Sequence, residues 1–488
     1  MMIFQKNIDR NIRRVQNILQ SKFILPAILA GNFLLRLVIL GFTNLYYFND
    51  YKAGLEAIEI IRDTGYHPLR IGRFLAMNAH IGFFFKYILG NITWYFVFNC
   101  LLATLSIFLI YLFVKELWGD KKTAVLTALM LSLYSEFSAL SALFYTQVIE
   151  ICLFSLMLLL LTKLYKAHKI SHIIFLIVCI SMTVNLSFFF KSTLKYLWIA
   201  LLLFSIFQIF LNKNYLGALK FSLLSITIIA VTLLMAHAHT DVGYMLSSED
   251  KTNHFIFFGH TMYGGDGGEG SFVYPENEKL YLKKYQEFLE RHGIDNPSLQ
   301  TMNDFQAEEI KKFMLNHPLQ WIRLQYIKFA RTFGIIPEGN TFKILITGIF
   351  RGNWVLTALF LQLPFLSFIL LFTLLFNPGA FSHSFNRTFF FLYIMLCLYW
   401  LAGTVFYGCS QERYRMPIMA CFIIPCLAYF MVHFKPRAFL KNRKILLIKI
   451  FFVVLITGIW AGQAYNALVV HKDRYFGLVE KAHSGEIK

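Results

Sequence analysis

Charge is what this chain has least of. Only 15% of its 488 residues are Asp, Glu, Lys or Arg, against 57% hydrophobic residues and a mean hydropathy of +0.56. A soluble domain of that length needs far more polar surface, so a soluble protein is excluded. Acids are the scarcer sign: 27 Asp and Glu stand against 46 Lys and Arg, a formal net charge of +19. In a soluble protein that excess points to nucleic acid. Here it gathers in short loops between apolar runs, which removes that reading. Cysteine is no framework either. Cys100, Cys152, Cys179, Cys397, Cys421 and Cys426 lie inside apolar runs and Cys409 stands alone, so all seven read as packing residues. A fixed-period repeat is missing. So is a small-residue cleavage site after the basic run Lys6, Arg10, Arg13, Arg14 and Lys22, so the first apolar stretch is expected to stay in the membrane.

What the chain does have is a series of apolar runs: Phe23–Tyr47, Ile92–Val114, Ala124–Ala142, Val148–Leu164, Ile173–Phe190, Leu197–Leu211, Leu216–Ala236, Trp354–Phe376, Phe389–Tyr407, Met416–Phe434 and Ile445–Gln463. A span needs roughly 20 apolar residues, so the pattern predicts an all-α polytopic membrane protein of about eleven helices. Lys115, Lys121 and Lys122, then Lys163, Lys166 and Lys169, then Lys213 and Lys220, and finally Lys435, Arg437, Lys441, Arg443 and Lys444 fall on one side. That is the positive-inside pattern, and it puts the N-terminus in the cytoplasm of a bacterial-type inner membrane.

Three parts are expected. Residues 1–236 form a transmembrane core whose first external loop is 47–91, residues 237–351 form an external, mainly helical segment, and residues 352–488 form the C-terminal helices and a short tail. Apolar residues recur at helical spacing opposite charged ones in 53–63 and again in 66–91, which predicts amphipathic helices along the membrane surface. A third begins at His317-Pro318 and runs to Arg331.

Asp50 follows the first run directly, at a depth where ionisable groups are expensive, and the choice there is between a catalytic base and a helix cap. Glu136, Gln147 and Glu150 are the polar residues placed to meet it from the turn before the fourth run. Lys191 and Lys195 put cations on the side the loop charges disfavour, and such cations pair with an anion or reach lipid headgroups. Gly408 to Pro417 carries Glu412, Arg413, Tyr414 and Arg415; guanidinium forks suit a phosphate, the bland alternative being an ion pair with Glu412. His237, His239, His254 and His260 sit as interfacial histidines do, and no metal site is expected. The glycine run 264–270 lacks the flanking strand and helix of a phosphate loop.

Arg36 in the first run, Asp50 in an amphipathic external loop, Thr146-Gln147 before the fourth run, Lys191 after the fifth and the Arg413-Tyr414-Arg415-x-Pro417 entry to a late run together resemble the GT-C glycosyltransferases. The branch is that of the protein O-mannosyltransferases and the aminoarabinose transferases of lipid A. The resemblance implies that the donor is a sugar on a polyprenyl phosphate, that the early acid is the catalytic base, and that no cofactor is required. Lipid, glycan and protein are all open as acceptors, and membrane lipids are the standing partners. The chain departs from the pattern in having Thr146-Gln147 where a Thr-Glu is usual, and in having Tyr51 adjacent to Asp50 instead of several residues on. Two alternatives stay open, a polysaccharide polymerase and a flippase or transporter that binds the same carrier without cutting it; the gathering of charges at one face favours an enzyme.

The loop charges make a topological prediction: 47–91 and 237–351 share the external side. Single cysteines replacing Glu56 and Glu278 should both react with an impermeant maleimide on intact cells. Reaction of either only after the inner face is opened would reject this topology.

Overall fold

In the computed structural model the described residues are 21–42, 49–65, 76–144, 146–190, 197–210, 213–238, 275–333, 387–402, 415–433 and 443–465, with isolated positions 194, 367, 369, 370, 373 and 469. Every regular element among them is helical. The chain runs α1 (Ile24–Phe42), α2 (Asn49–Thr64), α3 (Ala76–Phe83, continued by a π turn Phe84–Ile88), α4 (Thr93–Trp118), α5 (Lys121–Ser132), α6 (Ser135–Leu140), α7 (Gln147–Lys166), α8 (Ile170–Phe188), α9 (Leu197–Phe210) and α10 (Tyr215–Ala238). After these come α11 (Pro275–His292), α12 (Leu299–Asn316), α13 (Pro318–Thr332), α14 (Arg387–Leu401), α15 (Met416–His433, with a π turn at Met419–Ile423) and α16 (Arg443–Tyr465).

Six of these, α1, α4, α7, α8, α10 and α15, are long and apolar enough to cross a membrane, while α9 and the 446–462 part of α16 are shorter apolar helices. The all-α polytopic class therefore holds among the described residues. The expected run Trp354–Phe376 lies almost wholly outside them.

The largest departure from the sequence expectation is at Ala124–Ala142, which is two short helices and not one span. Asp120 starts α5 by accepting from the backbone N–H groups of Lys122 (3.0 Å) and Thr123 (3.1 Å), a side-chain N-cap. The chain then breaks at Leu133 and Tyr134, where Tyr134 is extended. A break strands carbonyl oxygens that a bilayer cannot hydrate, so protein must meet them. α1 does so: Asn32 donates to Ser132 O (3.3 Å), and Arg36 donates to Phe137 O (2.5 Å), Ser141 Oγ (3.3 Å) and Asn32 Oδ1 (2.9 Å). Arg36 is fully buried and its guanidinium lies 4.5 Å from the centre of the Phe137 ring. Two polar residues in an otherwise apolar helix thus meet the ends of two short helices in the fold, Asn32 the end of α5 and Arg36 the last turn of α6.

α2 and α3 pack on the end of the bundle where α4 and α7 begin, and the joint between them is a phenylalanine set into glycine. A Cβ on Gly54 would lie 2.5 Å from Phe144 Cδ1, and one on Gly82 would lie 3.1 Å from Phe144 Cζ and 2.6 Å from Ile58 Cδ1. The Phe144 ring also meets Tyr95 at 4.4 Å between centroids, Phe96 at 6.3 Å and Tyr51 at 6.5 Å. Outside this core the two helices are tied by Glu59, which accepts from Lys86 and from Tyr87 (2.6 Å) and pairs with Arg62 (2.7 Å). The hydrogen bonds from Lys86 and Tyr87 hold the Glu59 carboxyl below the usual carboxylate range. Each of these ion pairs is solvated and worth little; the buried ring decides the geometry.

The ring is held on several sides, so it cannot swing away from a new methyl group. Gly54→Ala should therefore destabilise the protein by about 1–3 kcal/mol, the usual cost of overpacking. Thermal melting of the purified protein in detergent reads this, and adding Phe144→Leu should recover part of the loss. An unchanged melting temperature in Gly54→Ala would show that the α2–α3 joint is loose.

Candidate functional site

The first turn of α2 holds Asn49, Asp50 and Tyr51. Tyr51 is buried, its ring 5.9 Å from Phe96 and 6.5 Å from Phe144. Asp50 precedes it in the same turn, and its side chain lies outside the described residues. Three residues past Phe144 in the chain comes Gln147, the first residue of α7, followed by Glu150 in that helix's first turn. Gln147 is 5% exposed and Glu150 2%. A carboxylate in a first turn sits well with the helix dipole. The Gln147 Oε1 atom has no partner among the described residues. Thus Tyr51, in the turn that carries Asp50, packs on Phe144, which lies just before the helix whose first turn holds the buried Gln147 and Glu150. The aromatic hub that brings them together carries no sequence motif.

A second cluster joins residues from opposite halves of the chain. Arg415, at the start of α15, and Glu136, in α6, form a two-pronged ion pair: Nε donates to Oε2 at 3.1 Å and Nη2 to Oε1. Tyr134 Oη donates to Glu136 Oε2 at 2.5 Å, and Arg415 Nη1 donates to Thr332 O at 3.2 Å. Exposure is 0% for Arg415 and 1% for Glu136. The sequence pairs Glu136 with Asp50 as a second acid, sets Arg415 on a phosphate, and offers Glu412 as its alternative partner. In the structure these two residues meet each other: both Glu136 oxygens and three Arg415 donors are engaged inside the protein, and the acid Arg415 meets is 279 positions away. Burial of both charges requires that pairing, since either alone would be an uncompensated ion in a dry interior.

The pair also reaches α13. Thr332 closes α13, and the next carbonyl, Phe333 O, accepts from Trp460 Nε1 of α16 at 3.0 Å. α13 starts with Pro318 at its first position, which suits a residue lacking an N–H. Leu324, Gln325 and Lys328 are buried on one face, while Leu319, Ile322 and Tyr326 are exposed on another, the amphipathic pattern expected from the sequence.

Arg36, expected as a supporting residue, donates to the last turn of α6 as described above. Lys191, Lys195, Arg413 and Tyr414 lie outside the described residues. Among the described residues no group of three or more His, Cys, Asp or Glu could hold a metal ion.

Residues 76–237, from the start of α3 nearly to the end of α10, match the family model described as dolichyl-phosphate-mannose-protein mannosyltransferase, about a third of the chain. The GT-C resemblance is upheld over that segment, which contains Phe144, Gln147, Glu150 and Glu136. No curated protein sequence matches the chain. Among solved structures it is similar to the Archaeoglobus fulgidus oligosaccharyltransferase AglB in complex with an inhibitory peptide and a dolichol-phosphate, at 15% identity and TM-score 0.44, covering 95% of this chain and 56% of that one. It is similar also to the oligosaccharyltransferase of the same organism tethered to an acceptor peptide containing the NVT sequon, at 15% identity and TM-score 0.46, covering 95% and 55%. The chain spans little more than half the length of these proteins.

Removing one partner of the buried pair should be far worse than removing both. Glu136→Leu is expected to cost about 3–5 kcal/mol, whereas Glu136→Leu with Arg415→Met should return most of that. Melting temperatures of the two variants give the comparison, and equal losses in both would contradict the isolation of the pair from solvent.

Proposed function

We propose that the protein is a membrane glycosyltransferase that moves a sugar from a polyprenyl-phosphate donor to a hydroxyl-bearing acceptor at the external face of a cytoplasmic membrane. The observation that supports this most directly is the mannosyltransferase-family match over 76–237. It covers the helices on which the Asp50-bearing turn is packed through Phe144.

In this reading Asp50 accepts the proton of the acceptor hydroxyl as its oxygen attacks the anomeric carbon. The bond from that carbon to the carrier phosphate breaks with inversion, and the lipid phosphate leaves as a monoester. General-base assistance of this kind contributes typically about 10²–10⁴-fold. Lys191, Lys195 and Arg413 receive the charge the phosphate gains, through charge-assisted hydrogen bonds. Arg415 serves that lip indirectly: its ion pair with Glu136 fixes the chain two residues after Arg413. A leaving group that is already a phosphate monoester makes no demand for a metal. Lipid A or its core, a surface polysaccharide and a secreted protein all present hydroxyls of the required kind.

Asp50→Asn is the direct test. Asn keeps the shape and an acceptor oxygen, so a capping role would survive, but it cannot hold the proton. Transfer from an undecaprenyl-phosphate sugar should fall by about 10² or more, while binding of that donor stays within a few-fold, because the carboxylate acts on the acceptor. Calorimetry with the donor and mass spectrometry of the product supply both numbers. Near-normal transfer by Asp50→Asn would leave Asp50 as a helix cap.

A further inference from the structure

α15 is held at both ends, by different parts of the molecule. At its start Arg415 forks onto Glu136 of α6 and donates to Thr332 O of α13. At its other end the Tyr429 ring stacks on Trp118, the last residue of α4, at 5.0 Å, and His433 Nε2 lies 3.3 Å from Oδ2 of Asp120, the N-cap of α5. A helix can meet two such sets of partners only if the angle between them around its axis is right. Side chains advance about 100° per residue in an α-helix, so the number of residues between the anchors sets that angle.

Between the anchors the helix is not regular. Met419–Ile423 form a π turn, closed by the Ile424 N–H on Met419 O, five residues back. Such a turn takes up one more residue than an α turn. Past it the helix continues as though that residue were absent, with every side chain rotated by about 100° relative to an unbroken α-helix of the same sequence. The interruption has a local cause: in an unbroken helix the ring of Pro425 would press on the carbonyl of Cys421, four residues earlier. Nor is the wide turn loosely packed. Met419, Ala420 and Cys421 are 0% exposed, Cys421 Sγ meets Ser155 Oγ of α7 at 3.6 Å, and the Phe422 ring meets Tyr393 of α14 at 5.1 Å between centroids.

We infer that the π turn sets the register of α15, taking up one residue so that Arg415 meets Glu136 while Tyr429 and His433 meet the α4–α5 junction. An unbroken helix that kept Tyr429 on Trp118 and His433 on Asp120 would swing Arg415 about 100° around the axis, away from Glu136. Two buried charges would then stand unpaired, which a dry interior tolerates badly. With one residue absorbed, both ends dock. The turn thereby fixes the point, two residues after Arg413, at which the chain enters α15.

Changing the length of α15 by one residue in each direction tests this. Deleting Ala420 together with Pro425→Ala gives a helix without the extra residue and without the proline clash, so both anchors should still be met. In detergent that protein should melt close to the wild type. Adding Glu136→Leu should lower its melting temperature as much as it does in the wild-type chain, because the ion pair is intact. An alanine inserted after Ala420 should instead turn Arg415 off Glu136. The lengthened chain should melt lower or not fold, and where it folds Glu136→Leu should cost it little more. A small cost of Glu136→Leu in the shortened helix would overturn the inference, since the pair would already be lost there. So would a lengthened chain in which Glu136→Leu keeps its full cost. If the shortened helix does not accumulate as folded protein, deletion of Ile423 with Pro425→Ala carries the same comparison. Failure of both deletions overturns the inference, because a helix one residue shorter must dock at both ends.

Discussion

A carbonyl oxygen at bilayer depth must find a donor in the protein, and the break between α5 and α6 creates several at once. Two polar residues of α1 follow from that need. Asn32 and Arg36 come from the first helix to Ser132 O, Phe137 O and Ser141, and Arg36 is in turn oriented by Asn32. Breaking the helix costs this set of partners, and what it gains is a short segment, α6, that delivers Glu136 into the interior where a continuous span would have presented another apolar face. Glu136 then needs a cation, which Arg415 supplies. The constraint thus passes from backbone to side chain and from the first half of the chain to the last.

Much of the fold was legible because hydropathy and charge are local. The long spans, the surface helices of the first loop, and the order of polar helices between 275 and 332 all come from periodicity within a window of a few turns. The break inside 124–142 was not legible, since Leu133 and Tyr134 are as compatible with a helix as their neighbours; the donor that meets the end of α5 there is Asn32, far away in sequence. Arg415 was visible as a cation and Glu136 as an acid, but nothing in the sequence says that two residues 279 positions apart meet. Likewise Gly54, Gly82 and Phe144 are each unremarkable in their own segment, and only the close approach of a ring to both glycines makes them a joint.

The two clusters differ in what they can bear. The Glu136–Arg415 pair is a poor source of net stability, because desolvating both ions offsets most of their attraction. Its better-attested use is register: a buried fork with Tyr134, Thr332 O and Glu136 around it accepts one arrangement of α6, α13 and α15 and rejects others. The same pair therefore ties the end of α13 to α6 and α15, beside the Trp460 contact from α16. An apolar substitute of equal volume could match its stability without matching its directionality.

The Phe144 joint has the opposite character: apolar, close-packed and intolerant of an added methyl, it aligns the first turn of α2 without contributing any group that could react. Rigid packing is what a general base needs from its surroundings, because proton transfer is efficient only when the oxygen is held within hydrogen-bond reach of the hydroxyl. Polar groups placed nearby for orientation must then be neutral, or they would compete with the base for its charge. Gln147, a buried carboxamide at the start of α7, is of that neutral kind. Where the related pattern has an acid after Thr146, a glutamine keeps the hydrogen-bonding capacity and removes a negative charge, which suits the proposed role of Asp50 as the base. In a site that must favour one ionised carboxylate in low dielectric, the neutral residue is the physically easier choice.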